Sequence, residues 1–329
     1  MNPIKMICLF LSVLFCTFLC NAEHEDKHIY WCSSVDAAEA EKYPTDEVYK
    51  CNVRTGEITK VCDLKGYLID SFETDCLYAA ELDLSGEKPI WNILRLDLNG
   101  NQERMLGSFD ADRIVRFLGY ANETLYYLKA LEKELAIFEG INRDGTVISY
   151  SHEIMIPVWR DADEGPVYPY RENYASYFAV VSPDGKILSY NAYPEKNTTF
   201  NVDYGDMLLY LPGQEIINLG QIDNPAWIDE NRFFFHSKDM LLQKYDVRSR
   251  SSEYHLSNSG TPVKILEQDE EAHFCVSNDG KYALFVPYDD WILIKPYPQM
   301  MNLETGKIKK FRKIHTRKAM NAKLFLTDF

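Results

Sequence analysis

The chain has 329 residues, of which 46% are hydrophobic, 13% aromatic and 26% charged, proportions that exclude collagen, coiled-coil and disordered classes. With 50 acidic against 35 basic residues and a formal charge of −15, it is no general nucleic-acid binder, because affinity for phosphates rests on Lys and Arg.

Residues 1–22 read as a signal peptide. Lys5 supplies the positive start, residues 6–20 are apolar but for Ser12 and Thr17, and Cys20, Asn21 and Ala22 form a small-residue cleavage site. That apolar run is shorter than the stretch of about 20 residues that spans a bilayer. The expectation is cleavage and export to a secreted, periplasmic or cell-envelope location, with an uncleaved N-terminal anchor as the alternative. Residues 23–329 are expected to form one domain with no further integral membrane segment. Cys32, Cys51, Cys62 and Cys76 follow within 45 residues. In an oxidising compartment one or two disulfides are expected among them. No C-x-x-C spacing favours a metal instead, and Cys275, in the apolar run 272–276, reads as a buried thiol.

A hairpin pattern then recurs: an alternating strand, a tight polar turn, a second alternating strand. Its copies are residues 48–61 around Gly56, 93–106 around Gly100, 135–149 around Gly145 and 207–219 around Gly213. A fifth, 241–256, turns at Arg248, Ser249 and Arg250 without glycine, and a sixth, 299–311, turns at Gly306. A period near 45 residues is that of a four-stranded propeller blade; an insert at 152–176 lengthens one interval. A second hairpin type lies between these copies, most clearly at 178–190 and 274–285, more loosely around 73–75, 121–124 and 229–231. Single strands are expected at 28–33 and 323–329. The predicted fold is all-β: a six-bladed β-propeller of four-stranded antiparallel blades, closed by pairing of the C-terminal strand with the N-terminal blade. An open β-sandwich is the alternative.

The turns Ser182-Pro-Asp-Gly-Lys186 and Ser277-Asn-Asp-Gly-Lys281 resemble the WD40-like (PD40-type) repeats of the TolB-like six-bladed β-propellers. The resemblance implies the fold. Asp-Gly makes the turn, and nothing in the motif is catalytic.

In such a fold the two hairpin turns of each blade emerge at one end, and all other connections at the opposite end. The long segments 35–47, 152–176, 193–206, 258–271 and 287–298 all belong to the second end, where a ligand site is expected. There Trp159, Tyr168, Tyr170, Tyr193, Trp291 and Tyr297 interleave with Asp203 and Asp289. Rings with polar tips suit stacking on sugars or peptides, and carboxylates accept bonds from hydroxyls or cations. Asp161, Asp163 and Glu164 precede Gly165 as in calcium loops, so Ca²⁺ is a candidate ion, although the terminal ligands of an EF-hand are missing. No nucleophile elbow, zinc-protease motif or phosphate loop is present; His236 and His273, in strands of neighbouring blades, are the candidate catalytic residues.

The eight bases of residues 307–323, with no acid among them, contrast with 49 acids against 26 bases over 23–306. Their alternation with Ile308, Phe311 and Ile314 fits a solvated outer strand. Taken together, these features favour an exported binding module for a protein, peptide or glycan. A propeller lyase or hydrolase acting on a carbohydrate, and an envelope scaffold for protein partners, are the alternatives.

Overall fold

The computed structural model describes residues 28–327 except segments 35–45, 53–54, 133–134, 156–178, 192–205, 237–240, 265–271, 288–298 and 312–324 and positions 70, 72, 74, 221, 278 and 279. Among the described residues a 3-10 turn at Ala111–Arg113 is the only helical element, and no helix is long and apolar enough to cross a membrane.

Among the described residues, six four-stranded antiparallel sheets form the blades of a β-propeller. The first contains β1 (His28–Ser34), β2 (Asp46–Asn52) and β3 (Ile58–Leu64). The second holds β4 (Gly66–Ile69), β5 (Cys76–Asp83), β6 (Ile90–Asp97) and β7 (Gln102–Asp110). Next come β8 (Ile114–Ala121), β9 (Thr124–Glu132), β10 (Leu135–Asn142) and β11 (Val147–Met155). The fourth is β12 (Val180–Val181), β13 (Leu188–Asn191), β14 (Met207–Tyr210) and β15 (Ile217–Asn218). The fifth is β16 (Asp223–Trp227), β17 (Arg232–His236), β18 (Leu242–Asp246) and β19 (Ser251–Tyr254). The sixth is β20 (Ala272–Val276), β21 (Tyr282–Pro287), β22 (Gln299–Asn302) and β23 (Ile308–Lys310). Finally β24 (Phe325–Thr327) returns to the first sheet and pairs with β1, placing Phe325 opposite Tyr30, Leu326 opposite Ile29 and Thr327 opposite His28. This is the expected ring closure.

Both faces of a blade are buried, and this decides the sequence of its strands. Successive side chains of a strand point to opposite faces, so neighbours in sequence enter different cores. In β5, Leu77 and Ala79 pack with Tyr30, Val48 and Leu64 of the first sheet. Tyr78 and Ala80 pack with Ile114, Phe117 and Tyr127 of the third. Residues 76–80 therefore read as an unbroken apolar run, all buried. In β17, likewise, Phe233 and Phe235 join Leu209 of the fourth sheet, whereas Phe234 joins Ala283 and Met301 of the sixth.

The third strand of a blade turns tightly into the fourth, and Asx side chains hold these turns. Asn52, Asp97, Asp144, Asp246 and Asn302 accept backbone N–H bonds through Oδ1 from residues two to four positions onward. The Asn101 side-chain amide and then these backbone bonds hold the Asp97 carboxyl below its ordinary range, and the backbone bonds do the same for Asp144 and Asp246. Gly145, Gly213 and their counterparts supply positive φ; in the fifth sheet, which lacks the glycine, Arg250 takes φ 53° instead.

The expected disulfides are corrected. No disulfide joins Cys51, Cys62 and Cys76. Cys32 faces Val48, and Val48 faces Cys62, so two strand spacings, about 9–10 Å, separate those positions, beyond the ~7 Å Cα reach of a bridge. Cys51 stands opposite Ile29 and Ile58, and Cys76 opposite Asp97 in the next sheet. Strand register keeps the cysteines apart despite their closeness in sequence.

Candidate functional site

Strand order assigns the two ends of the propeller. First-to-second and third-to-fourth strand turns lie at one end, and the segments joining β1 to β2, β11 to β12, β13 to β14 and β21 to β22 at the other. Their strand ends are held in register, Asn191 opposite Met207 and Phe285 opposite Gln299. The expected ligand residues Trp159, Tyr168, Tyr170, Tyr193, Asp203, Asp289, Trp291 and Tyr297 lie outside the described residues, as do Asp161, Asp163 and Glu164. His236 is buried on β17 at 8% exposure, its backbone opposite Asp223 and Leu242. His273 belongs to β20, the first strand of its sheet, and its side chain is outside the described residues.

At the opposite end the tight turns are closed by their own hydrogen bonds. Ser182, fully buried, accepts the Ile187 N–H through Oγ (3.0 Å) and donates to Asp184 Oδ1 (2.7 Å), which also accepts the Lys186 N–H. Ser277 Oγ repeats the first bond, accepting the Tyr282 N–H at 3.0 Å. The serine and aspartate of this motif are thus spent on the turn. Asn122 Nδ2 ties the third and fourth sheets by donating to the Asp184 carbonyl.

Sequence reasoning missed a polar cluster in the second sheet. Glu73 Oε2 accepts from the Tyr78 hydroxyl (2.6 Å) and the Cys76 thiol (3.3 Å), while Arg95 donates to Asp75 and pairs with Glu103. Glu73, Asp75 and Cys76 present their donor atoms within 4.8 Å of one another. Burial pushes the Cys76 thiol up to about 12, so it stays protonated at neutral pH, and Arg95 already neutralises Asp75. The set is thus tied together within the protein by the Glu73 hydrogen bonds and the Arg95–Asp75 pair. Tyr78 stacks on Tyr120 of β8 at 4.2 Å, and Tyr120 in turn borders a groove of about 270 Å³ between the second and third sheets.

A second grouping joins the third and fourth sheets. His152 stacks flat on Tyr210 (4.0 Å, 4°), and its Nε2 lies 2.8 Å from the Tyr190 hydroxyl. Burial lowers the His152 pKa. A histidine whose folded pKa lies below its unfolded value supports the fold above the unfolded value and loses that support as pH falls through it. The wild type is therefore expected to lose thermal stability as pH drops below about 6.5, and His152→Phe to flatten that part of the profile. Parallel profiles for the two proteins would refute the assignment.

No family model matches the chain, and no curated protein matches it. Among solved structures it is similar to TolB from Acinetobacter baumannii, with a TM-score of 0.56 and 8% identity over 93% of this chain and 67% of that one. It is similar also to a putative TolB from Agrobacterium tumefaciens, at TM-score 0.47 and 14% identity over 87% and 88% of the two chains. An oligogalacturonate lyase in complex with manganese gives 0.47 and 12% over 80% and 70%. At these identities the likeness shows a TolB-like propeller fold and nothing of chemistry.

Proposed function

We propose that this propeller is an exported binding module whose protein, peptide or glycan partner sits on the long-segment end. One observation carries the reading: the strand order collects the chain's longest connections at a single end, while the tight turns of the other end are closed by their own hydrogen bonds. A rigid scaffold that concentrates long, aromatic- and acid-rich segments on one side is the usual arrangement for recognition. Trp159, Tyr168, Tyr170, Tyr193, Trp291 and Tyr297 provide stacking surfaces, with Asp203 and Asp289 as acceptors. The pattern of residues 1–22 supports export, and Ca²⁺ at Asp161, Asp163 and Glu164 is a secondary element of the reading.

The test is a glycan and peptide binding screen run beside turnover assays on the same compounds. Trp159→Ala or Trp291→Ala is expected to weaken a hit by roughly tenfold or more, the effect of losing a buried aromatic anchor, without turnover in the wild type. Turnover abolished by His236→Ala or His273→Ala would replace this reading with an enzyme. Intact mass of the exported protein is expected to start at Glu23.

A further inference from the structure

The groove bordered by Tyr120 has its own chemistry. Its apolar lining comes from two blades: Leu106 and Phe109 of β7, with Leu125 and Ile141 of the third sheet. Leu106, Phe109 and Ile141 are only partly buried against the core behind them, leaving apolar surface towards the opening. At the rim are Arg104, Arg143 and Glu123. Arg143 donates to Glu123 at 3.0 Å, whereas Arg104 has no ion-pair partner among the described residues. In a chain of charge −15, two guanidiniums against one carboxylate at the mouth of an apolar groove run against the overall trend. Glu103, the acid beside Arg104 in sequence, is held by Arg95.

The strand forming one wall is also an edge. β7 is the last strand of its sheet and nine residues long, so one side of its backbone offers N–H and C=O groups that no strand occupies among the described residues. Bulges against β6 at Ile93/Leu94 and Arg95/Leu96 increase its twist, which disfavours open-ended sheet growth and leaves room for a short partner.

We propose that this groove docks an extended acidic peptide, which adds to the free edge of β7, seats an apolar side chain over Leu106 and Phe109, and pairs a carboxylate with Arg104 and Arg143. Backbone bonds to the edge give affinity, and the groove with its arginines gives selectivity. This site is separate from the long-segment end and does not depend on the function proposed for it.

The probe is a fluorescein-labelled, end-capped hexapeptide, Thr-Leu-Glu-Phe-Glu-Thr, with a twin carrying Lys for each Glu, titrated into the whole protein by fluorescence anisotropy. Saturable binding of the acidic peptide is expected, weaker in high salt. Arg104→Glu, at an exposed position, is expected to weaken the acidic peptide by roughly tenfold and to strengthen the Lys twin. Arg143→Glu is expected to act in the same direction, and Lys307→Glu, at an exposed position beside β23 of the sixth sheet, to change nothing. Equal binding of the two peptides, failure of the acidic one to saturate, or an equal loss in Lys307→Glu would each overturn the proposal.

Discussion

Truncation after Lys323 is expected to cost more stability than any single substitution in the protein. It removes β24, the strand that completes the first sheet beside β1. The loss exposes the backbone edge of a strand that carries the fully buried Tyr30. An uncovered edge of this kind recruits other chains, so the truncated protein is expected to aggregate on heating and to melt lower by on the order of 10 °C. A synthetic peptide spanning residues 324–329, added in excess, is expected to recover part of the loss by occupying the vacated position, as strand donation does elsewhere. Melting by circular dichroism with and without the peptide decides the matter. An unchanged melting temperature after truncation would mean that the β1–β24 pairing contributes nothing to closure.

Gly185→Ala is the second large effect, and its size separates two copies of one motif. Gly185 and Gly280 occupy equivalent turns at φ 70° and 66°, where an L residue costs roughly 1–2 kcal/mol. The surroundings differ. A Cβ on Gly185 would clash with the hydroxyl oxygen and Cζ of Tyr126, while one on Gly280 meets only Ile228 Cγ2 at 3.4 Å. Tyr126 is itself buried and stacked on Phe138, so displacing its ring disturbs that packing. Overpacking of this sort adds about 1–3 kcal/mol. Gly185→Ala is therefore expected to destabilise by roughly 3 kcal/mol, against roughly 1 for Gly280→Ala. Gly213→Ala, at φ 76° with nothing within 4 Å, isolates the backbone term. Chemical denaturation of the three variants measures the difference; equal losses in Gly185→Ala and Gly213→Ala would show that Tyr126 yields freely.

The same pair of turns shows how far the sequence can be read. Ser182-Pro-Asp-Gly-Lys186 announces its structure because every bond that makes it lies within six residues: Gly185 supplies the positive φ, and Ser182 and Asp184 capture nearby N–H groups. Arg250 marks the limit of such reasoning. The spacing places a turn at residues 248–250 without a glycine, but not that Arg250 itself takes the left-handed conformation. The cysteines mark another limit. Four thiols within 45 residues suggest bridges, yet Val48 stands between Cys32 and Cys62 because strand register, not sequence distance, sets their separation.

The groove beneath β7 left no local trace. Arg104, Leu106 and Phe109 sit in an alternating strand like any other, and Arg143 in an ordinary polar turn. Only the packing of the second sheet against the third brings them together. The Glu73–Cys76–Tyr78 cluster is intermediate. Its residues are close in the chain, but the carboxylate receives both bonds only because Cys76 and Tyr78 start a strand that faces inward.

By itself, then, the sequence determined the strands, their turns, their period and the closure of the ring. These rest on alternation and turn preference, which act over two to six residues. Tertiary structure decided which of two neighbouring cores each apolar residue enters, which glycine cannot acquire a side chain, and where Arg104 and Arg143 meet an apolar groove. Those outcomes depend on atoms from different blades approaching within a few ångströms, and a buried strand with two apolar faces carries no mark of which blade each face will meet.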